Sequence, residues 1–271
     1  MVLSRERKAG GVEWGRRYDG RMTDRAALIE ALNTMLRPQE FKDYGPNGLQ
    51  VEGRTEVRRL VSGVTASRAF IEQAIAVGAD TLLVHHGLFW RGQDGRLTGW
   101  LKARVALLMR HDVNLLAYHL PLDAHAEFGN NAQLGRRLGL VADARFGDQA
   151  LGFIGTASAG LDTAEALAER AGSALGRQPL LVAGDGRRLE RIAWCTGGAQ
   201  GFFEDAIAAG ADAFVTGEIS EPQAHLARET GVAFLACGHH ATERYGAPAV
   251  AAEVARQLGL EHRFIEVENP A

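Results

Sequence analysis

Cysteine is scarce in this chain. Cys195 and Cys237 are the only two in 271 residues, and they form no CxxC pair, so neither a disulfide framework nor a cysteine-built zinc site is expected. Such usage fits a reducing cytosol, and a cytoplasmic protein is the expectation. No run of 18 or more apolar residues occurs, so no membrane-spanning helix is expected either. Positive charge is not in excess: 30 Lys and Arg stand against 33 Asp and Glu, giving a net charge of -3 and a pI near 6.3. Nucleic acid would therefore need a local basic groove, because no overall basic footprint exists. Familiar signatures are missing too. Without GxxxxGK[ST], without GxGxxG after a strand and without HExxH, Walker-type nucleotide hydrolysis, Rossmann dinucleotide binding and zincin chemistry are set aside.

What remains is a chain with 46% hydrophobic residues, enough to bury one large or two ordinary cores. Helix-like and strand-like runs alternate through it, which indicates α/β architecture. Residues 1–21 mix Arg5, Arg7, Lys8, Arg16, Arg17 and Arg21 with three acidic residues and hold no apolar segment. They read as a disordered leader rather than a secretory signal. Met22 is a candidate start, with Thr23 as N-cap of a helix carrying Leu28, Ile29, Leu32, Met35 and Leu36 at helical spacing. Tyr44 to Val51 then reads as a turn-rich loop entering a strand, in which Asn47 and Gln50 either punctuate the turn or line a pocket.

An internal repeat organises the rest. Ala74-Ile75-Ala76-Val77-Gly78-Ala79-Asp80 recurs as Ala206-Ile207-Ala208-Ala209-Gly210-Ala211-Asp212, an offset of 132 residues. Each copy is a helix end closed by Gly and followed by an apolar strand, Thr81 to Val84 and Ala213 to Thr216. Arg59-Leu60-Val61 matches Arg191-Ile192-Ala193 at the same offset, and Arg136 to Leu140 matches Arg256 to Leu260 at an offset of 120. The change of offset fits a longer loop, Leu88 to Trp100, in the first copy. Four matches in one order indicate duplication, with a first half over 22–140 and a second over 141–271. No Pro- or Ser-rich linker divides them, so interlocked domains are expected, and the C-terminal helix and strand are candidates to pack back on the first half.

Histidine and carboxylate carry the chemistry. Six of nine histidines fall in three segments just past predicted strands: His85 and His86, His119 and His125, His239 and His240. The last two segments also hold Asp123 and Glu243. Strand C-terminal ends are where α/β sheets collect ligands, and imidazole with carboxylate suits zinc, iron and manganese. Glu243 lies four residues after His239, so a helix beginning there would project both from one face, and its two oxygens could bridge two cations. Cys237 is read as a buried strand cysteine rather than a ligand. Gly197-Gly198 is either a phosphate-facing turn or a plain tight turn.

His85-His86-Gly87 with Trp90, Tyr118 to His125, Gly129-Asn130-Asn131, Thr216-Gly217-Glu218 and Gly238 to Arg244 together resemble the Nif-three-like dinuclear metal-centre proteins, also known as GTP cyclohydrolase I type 2 homologues. The resemblance runs from about Thr23 to the C-terminus and rests on five motifs in order. It implies a three-layer fold of two interlocked α/β domains, a homohexameric toroid, and two divalent ions per subunit (zinc, iron or manganese) held by His85, His86, Asp123, His239 and Glu243. By analogy one ion takes His86 and Asp123, the other His85 and His239, and both share Glu243. His119 matches a position beside the site, as either a support of the ligands or a candidate catalytic residue. His125, His240, Asn131 and Glu218 match as supports or pocket residues. The expectation is a metal-dependent hydrolase of a small molecule, a nucleotide being the candidate. Two alternatives are a non-enzymatic metal-binding or scaffolding hexamer, and a two-metal phosphoesterase or nuclease, which would need a basic cavity wall.

Overall fold

A computed structural model describes residues 22–271, and the leader expected over 1–21 lies outside the described residues. The chain opens with Thr23–Asp24 (β1) and Arg25–Leu36 (α1). Helix α1 buries Leu28, Leu32 and Leu36, a four-residue spacing that puts all three on one face. Its N-cap is Asp24, whose carboxylate accepts from the Ala26 N–H at 2.6 Å. The expected cap, Thr23, lies one residue too far from the helix and pairs with Val57, while Asp24, paired with Glu56, directly precedes the first helical residue. Then follow Gly48–Val51 (β2), Glu56–Val57 (β3), Arg59–Thr65 (β4), Arg68–Ala76 (α2), Thr81–His86 (β5), Gly99–Arg110 (α3), Asn114–Ala117 (β6), Leu120–Ala124 (α4), Asn130–Leu138 (α5) and Leu140–Phe146 (β7). The second half continues with Gly152–Ala157 (β8), Ala164–Leu175 (α6), Leu180–Val182 (β9), Ile192–Trp194 (β10), Phe203–Ala208 (α7), Ala213–Thr216 (β11), Glu221–Thr230 (α8), Ala233–Ala236 (β12), His239–Glu243 (α9), Gly246–Leu258 (α10) and Glu261–Phe264 (β13).

Two sheets result, ordered β13-β4-β5-β6-β2 and β7-β8-β10-β11-β12-β9. At the centre of each lie three parallel strands, β4-β5-β6 and β10-β11-β12, in the order the repeat requires. Val84 of β5 pairs with Ala117 of β6, and Thr216 of β11 pairs with Ala236 of β12, the same rung of the two sheets. An antiparallel strand, β2 or β9, closes the same flank of each. Helices cover both faces, so each sheet is the middle of three layers, and its central strands read as unbroken apolar runs such as Leu82-Leu83-Val84 and Ala213-Phe214-Val215. Leu82 and Val84 pack toward α2 and α3, whereas Leu83 packs with Leu28 and Leu32 of α1 and Val250 and Val254 of α10. Fully burying one such side chain contributes about 1.5–3 kcal/mol.

The halves interlock by exchanging their ends. Helix α5 of the first half puts Leu134 and Leu138 into the core of the second sheet beside α6, and β7 pairs there with β8. Reciprocally, α10 lies on the first sheet and β13 pairs in parallel with β4. The exchange carries the chain across between α4 and α5 and again between α9 and α10, so that α5 packs on α9 and α10 on α4. Among the described residues no helix is long and apolar enough to cross a membrane.

Candidate metal centre

Strand β5 ends in His85 and His86, whose rings lie 4.4 Å apart between centroids. His85 is fully buried and commits Nδ1 to the Tyr118 carbonyl at 3.2 Å, while His86 commits Nδ1 to Thr65 Oγ1 at 3.1 Å. A partner at Nδ1 fixes the ring and leaves Nε2 to face inward. The same arrangement occurs at the heads of the two short helices. His119 precedes α4 with Nδ1 at 2.7 Å from Asp43 Oδ1, and His239 begins α9 with Nδ1 at 2.6 Å from Glu218 Oε1. The last turn of each short helix then supplies a carboxylate. Asp123 is positioned by Asn130 Nδ2, donating at 2.9 Å, and Thr196 Oγ1, donating at 3.2 Å, both to Oδ1. Glu243 projects from the same face of α9 as His239, their Oε2 and Nε2 being 3.1 Å apart.

All five residues expected to hold metal are therefore together, and His119 with them. Donor atoms within 4.8 Å of one another form three groups: His85, Asp123 and Glu243; His86, His239 and Glu243; and His85, His86 and His119. Glu243 is common to the first two, as a bridging role requires. Among the others, His85 Nε2 lies 3.5 Å from Asp123 Oδ1 and 3.4 Å from Glu243 Oε1, and His86 Nε2 lies 3.2 Å from the Glu243 oxygen that also meets His239. The His85 ring is oriented by its bond to the Tyr118 carbonyl and the His86 ring by its bond to Thr65.

Two observations indicate that these residues fit cations. His85 Nε2 and Glu243 Oε2 are buried without a hydrogen-bond partner, a costly condition unless something else satisfies them. Protons also collect where positive charge would sit. Burial pulls His85 down, but the Asp123 and Glu243 carboxylates outweigh it and hold the ring at about 9. His239 is likewise raised to about 9, first by its bond to Glu243. Burial and the neighbouring imidazoles push His86 down to about 3. Glu243 would be raised by burial, yet the surrounding imidazoles keep it well below the carboxylate range, while burial raises Asp123. A mixed nitrogen and oxygen set of this kind suits zinc, iron or manganese.

The surroundings separate support from site. Asp43, which nothing in its local sequence marks, is half-buried and accepts from Tyr44 N, Asn47 Nδ2, Leu120 N and the His119 ring, and burial notwithstanding, these bonds lower its pKa. Asn47 also accepts from the His119 N–H at 2.7 Å, and Gln50 from the Leu88 N–H at 2.7 Å, so both brace loops. Asn131 ties the Asp123 carbonyl to the Thr196 N–H. His125 accepts from the Phe128 N–H, and His240 bonds Glu266, both away from the donor groups. Cys195 and Cys237 are buried thiols, and burial pushes Cys237 up to about 12. Gly197 lies in a bend beside the Glu243 carboxylate. It holds φ at +70°, and a Cβ there would lie 1.9 Å from Glu243 Oε1, so only glycine admits the carboxylate.

Above the donor atoms lies a cavity of about 220 Å³, lined from both halves by residues including Tyr44, His119, Gln149, Thr196 and Phe202.

The model of the Duf34/NIF3 (NGG1p interacting factor 3) family matches residues 23–270. The chain belongs to that family. It is 52% identical over 239 residues, 88% of this chain and 96% of the relative, to a GTP cyclohydrolase 1 type 2 homolog of Neisseria meningitidis serogroup B. A protein of the same description from Escherichia coli K12 is 43% identical over 246 residues, covering 90% and 98%. Among solved structures, protein ybgI, of unknown function by its description, superposes with a TM-score of 0.88 at 42% identity over 92% of this chain and all of that one. TTHA1606 from Thermus thermophilus gives 0.81 at 36% identity, again over 92% and 100%. The family's fold is thus the one described above, and it is the relatives' descriptions that refer to homology with a cyclohydrolase.

Proposed function

We propose that this protein is a metal-dependent hydrolase of a small molecule, built around two divalent ions and working as a homohexameric ring. The observation that carries the reading is Glu243, a buried carboxylate shared by two donor groups with one oxygen unsatisfied. His85, Asp123 and Glu243 would hold one ion, and His86, His239 and Glu243 the other. Two divalent ions there supply a water that is nucleophilic at neutral pH and polarise the bond to be cleaved.

The chain's own groups complete the chemistry. His119 has Nδ1 bonded to the ionised Asp43, which leaves Nε2 on the cavity side to take a proton from the attacking water. As the new C–O bond forms and the scissile bond breaks, the same proton returns to the leaving atom, so water is added across the bond with no other reactant. Asp43 keeps the ring in one tautomer and offsets its charge while it is protonated. Leu120, Leu151 and Phe202 line the cavity with apolar surface that limits competing water. The phosphoesterase or nuclease alternative needs a basic wall, and no Lys or Arg among the described residues lines this cavity.

The test is protein reconstituted separately with zinc, iron and manganese and assayed against nucleotides, phosphodiesters and cyclic amides. Turnover of one class with at least one metal is the expected result. A flat response with two ions bound per chain would replace the hydrolase by the non-enzymatic metal-binding hexamer.

A further inference from the structure

Helix α9 supplies His239 and Glu243, yet at five residues it is too short to hold its own position. Gly238 before it, with φ of +97°, offers no side-chain cap. The place of α9 must therefore come from what its other side chains touch. Ala241 packs in the core of the second sheet, and Thr242 Oγ1 accepts from the Gly197 N–H at 3.0 Å, so both anchor the helix to the second half. His240 turns the other way. It is buried, and because a carboxylate oxygen only accepts, Nε2–H donates to Glu266 Oε1 at 2.5 Å.

Glu266 belongs to the end of the chain that is exchanged onto the first sheet. It lies just past β13, which pairs with β4, and the Ile265 N–H before it donates to the Ser62 carbonyl of β4 at 2.9 Å. Strand β4 ends at Thr65, whose hydroxyl meets the His86 ring, and Thr65, Ile265 and His240 line one small cavity of about 70 Å³. The flank of the first sheet formed by β4 and β13 thus sets two histidines of one donor group, His86 through Thr65 and His239 through Glu266 and His240. The segment after Glu266 reinforces the tie. The Pro270 carbonyl accepts from Arg177 Nη1 at 2.9 Å and the Ala271 carbonyl from the His240 N–H at 3.2 Å. A Cβ on Gly238 would lie 2.3 Å from that same Arg177 nitrogen. His85 and Asp123 are held elsewhere, by Tyr118, Asn130 and Thr196.

We propose that Glu266 is a positioning residue of the metal centre. By tying His240 to the first sheet it fixes the separation of His86 and His239, and so sets the affinity of the ion they share while leaving the ion of His85 and Asp123 alone. The inference rests on the two-ion reading of the site, and its test separates the two. Cobalt(II), whose visible absorption reports the ligands around it, is titrated into the full chain with and without Glu266→Ala. The Glu266 side chain is 39% exposed, so the variant should fold, and its melting temperature checks this. One of the two binding steps should weaken by about tenfold, the lower end of the range for losing a group that orients metal ligands, and the other should not change. Asp123→Asn, which keeps the His86 and His239 ion, and His86→Ala, which keeps the other, then assign the affected step to the first of these two backgrounds. Glu266→Gln retains an oxygen for the His240 N–H and should restore the affinity, and Glu268→Ala, on the same segment, should have no effect. Equal weakening of both steps, weakening of neither, or failure of Glu266→Gln to restore the affinity overturns the inference. Wild-type protein that takes up a single cobalt ion removes the two-ion reading instead; the inference then stands only if Glu266→Ala weakens that ion and Glu266→Gln restores it.

Discussion

Replacing Gly197 with alanine is the most direct test of the centre, because the substitution adds one methyl group beside the bridging carboxylate. That methyl would lie 1.9 Å from Glu243 Oε1, 2.8 Å from its Cδ and 3.2 Å from His239 Nε2. Glu243 cannot yield easily, since its other oxygen is held within 3.2 Å of His86 and 3.1 Å of His239. Relief requires the carboxylate to move by about 1.5 Å to reach an ordinary contact, which would misplace a donor for both ions at once. Displacing groups that merely orient metal ligands costs about 10–100-fold in affinity, and moving the ligand itself should cost at least as much for both ions. The positive φ of Gly197 adds about 1–3 kcal/mol of backbone strain, or roughly 2–6 °C in melting temperature at about 2 °C per kcal/mol for a chain of this size. The control is Gly198→Ala, whose added methyl would meet nothing closer than 3.5 Å and whose φ is not in the left-handed region. Elemental analysis after dialysis against a metal buffer, together with thermal unfolding, reads both effects. A Gly197→Ala protein that keeps two ions at wild-type affinity refutes the argument for Glu243 as a shared ligand.

Glu243→Gln should weaken both ions together, whereas Asp123→Asn should mainly lose the one it shares with His85; equal stepwise loss in the two variants would contradict the assigned groups. On whichever substrate the panel identifies, His119→Ala should lower kcat/KM by about 10²–10⁴ with metal content unchanged. Asp43→Asn should give a smaller loss and an altered pH profile, because it acts through His119. His262, on β13, is largely buried with Nε2 at 2.9 Å from Ser62 Oγ, and burial lowers its pKa from 6.5 to about 4. Its folded pKa is depressed, so its contribution is complete above pH 6.5 and is lost as the pH falls from 6.5 toward 4, by about 3 kcal/mol at most. Denaturant titrations across that window should show the slope, and His262→Gln should flatten it; an unchanged slope would place the titration elsewhere.

Much of this molecule could be read from the chain alone, for a physical reason that differs by feature. The parallel strands are apolar on both faces, so Thr81 to Val84 and Ala213 to Thr216 are marked locally by composition, and the Gly-Ala-Asp phrases before them repeat because both copies end a helix the same way. The candidate ligands are marked because the histidines lie at or just past the ends of such strands, and because His239 and Glu243 are four residues apart on one helix. Asp43 carried no such mark. Its role arises from contact with His119, 76 residues away in sequence, and a single acidic residue in a loop is indistinguishable from any other until the chain folds. The same holds for Gly197, where the need for glycine comes from Glu243, a neighbour in space only.

How the two imidazoles of β5 are turned was likewise decided in three dimensions, by the Tyr118 carbonyl and the Thr65 hydroxyl that their Nδ1 atoms meet. Sequence spacing determines which side chains can reach a common point, because local geometry is fixed by the helix and strand repeats. Tertiary structure alone determines how they are turned when they arrive, since that depends on hydrogen-bond partners brought from elsewhere in the chain. The exchange of α5 and β7 for α10 and β13 belongs to the second kind: from β4 and from β10 onward the two halves run through the same kinds of element in the same order, and only packing decides which sheet each element joins.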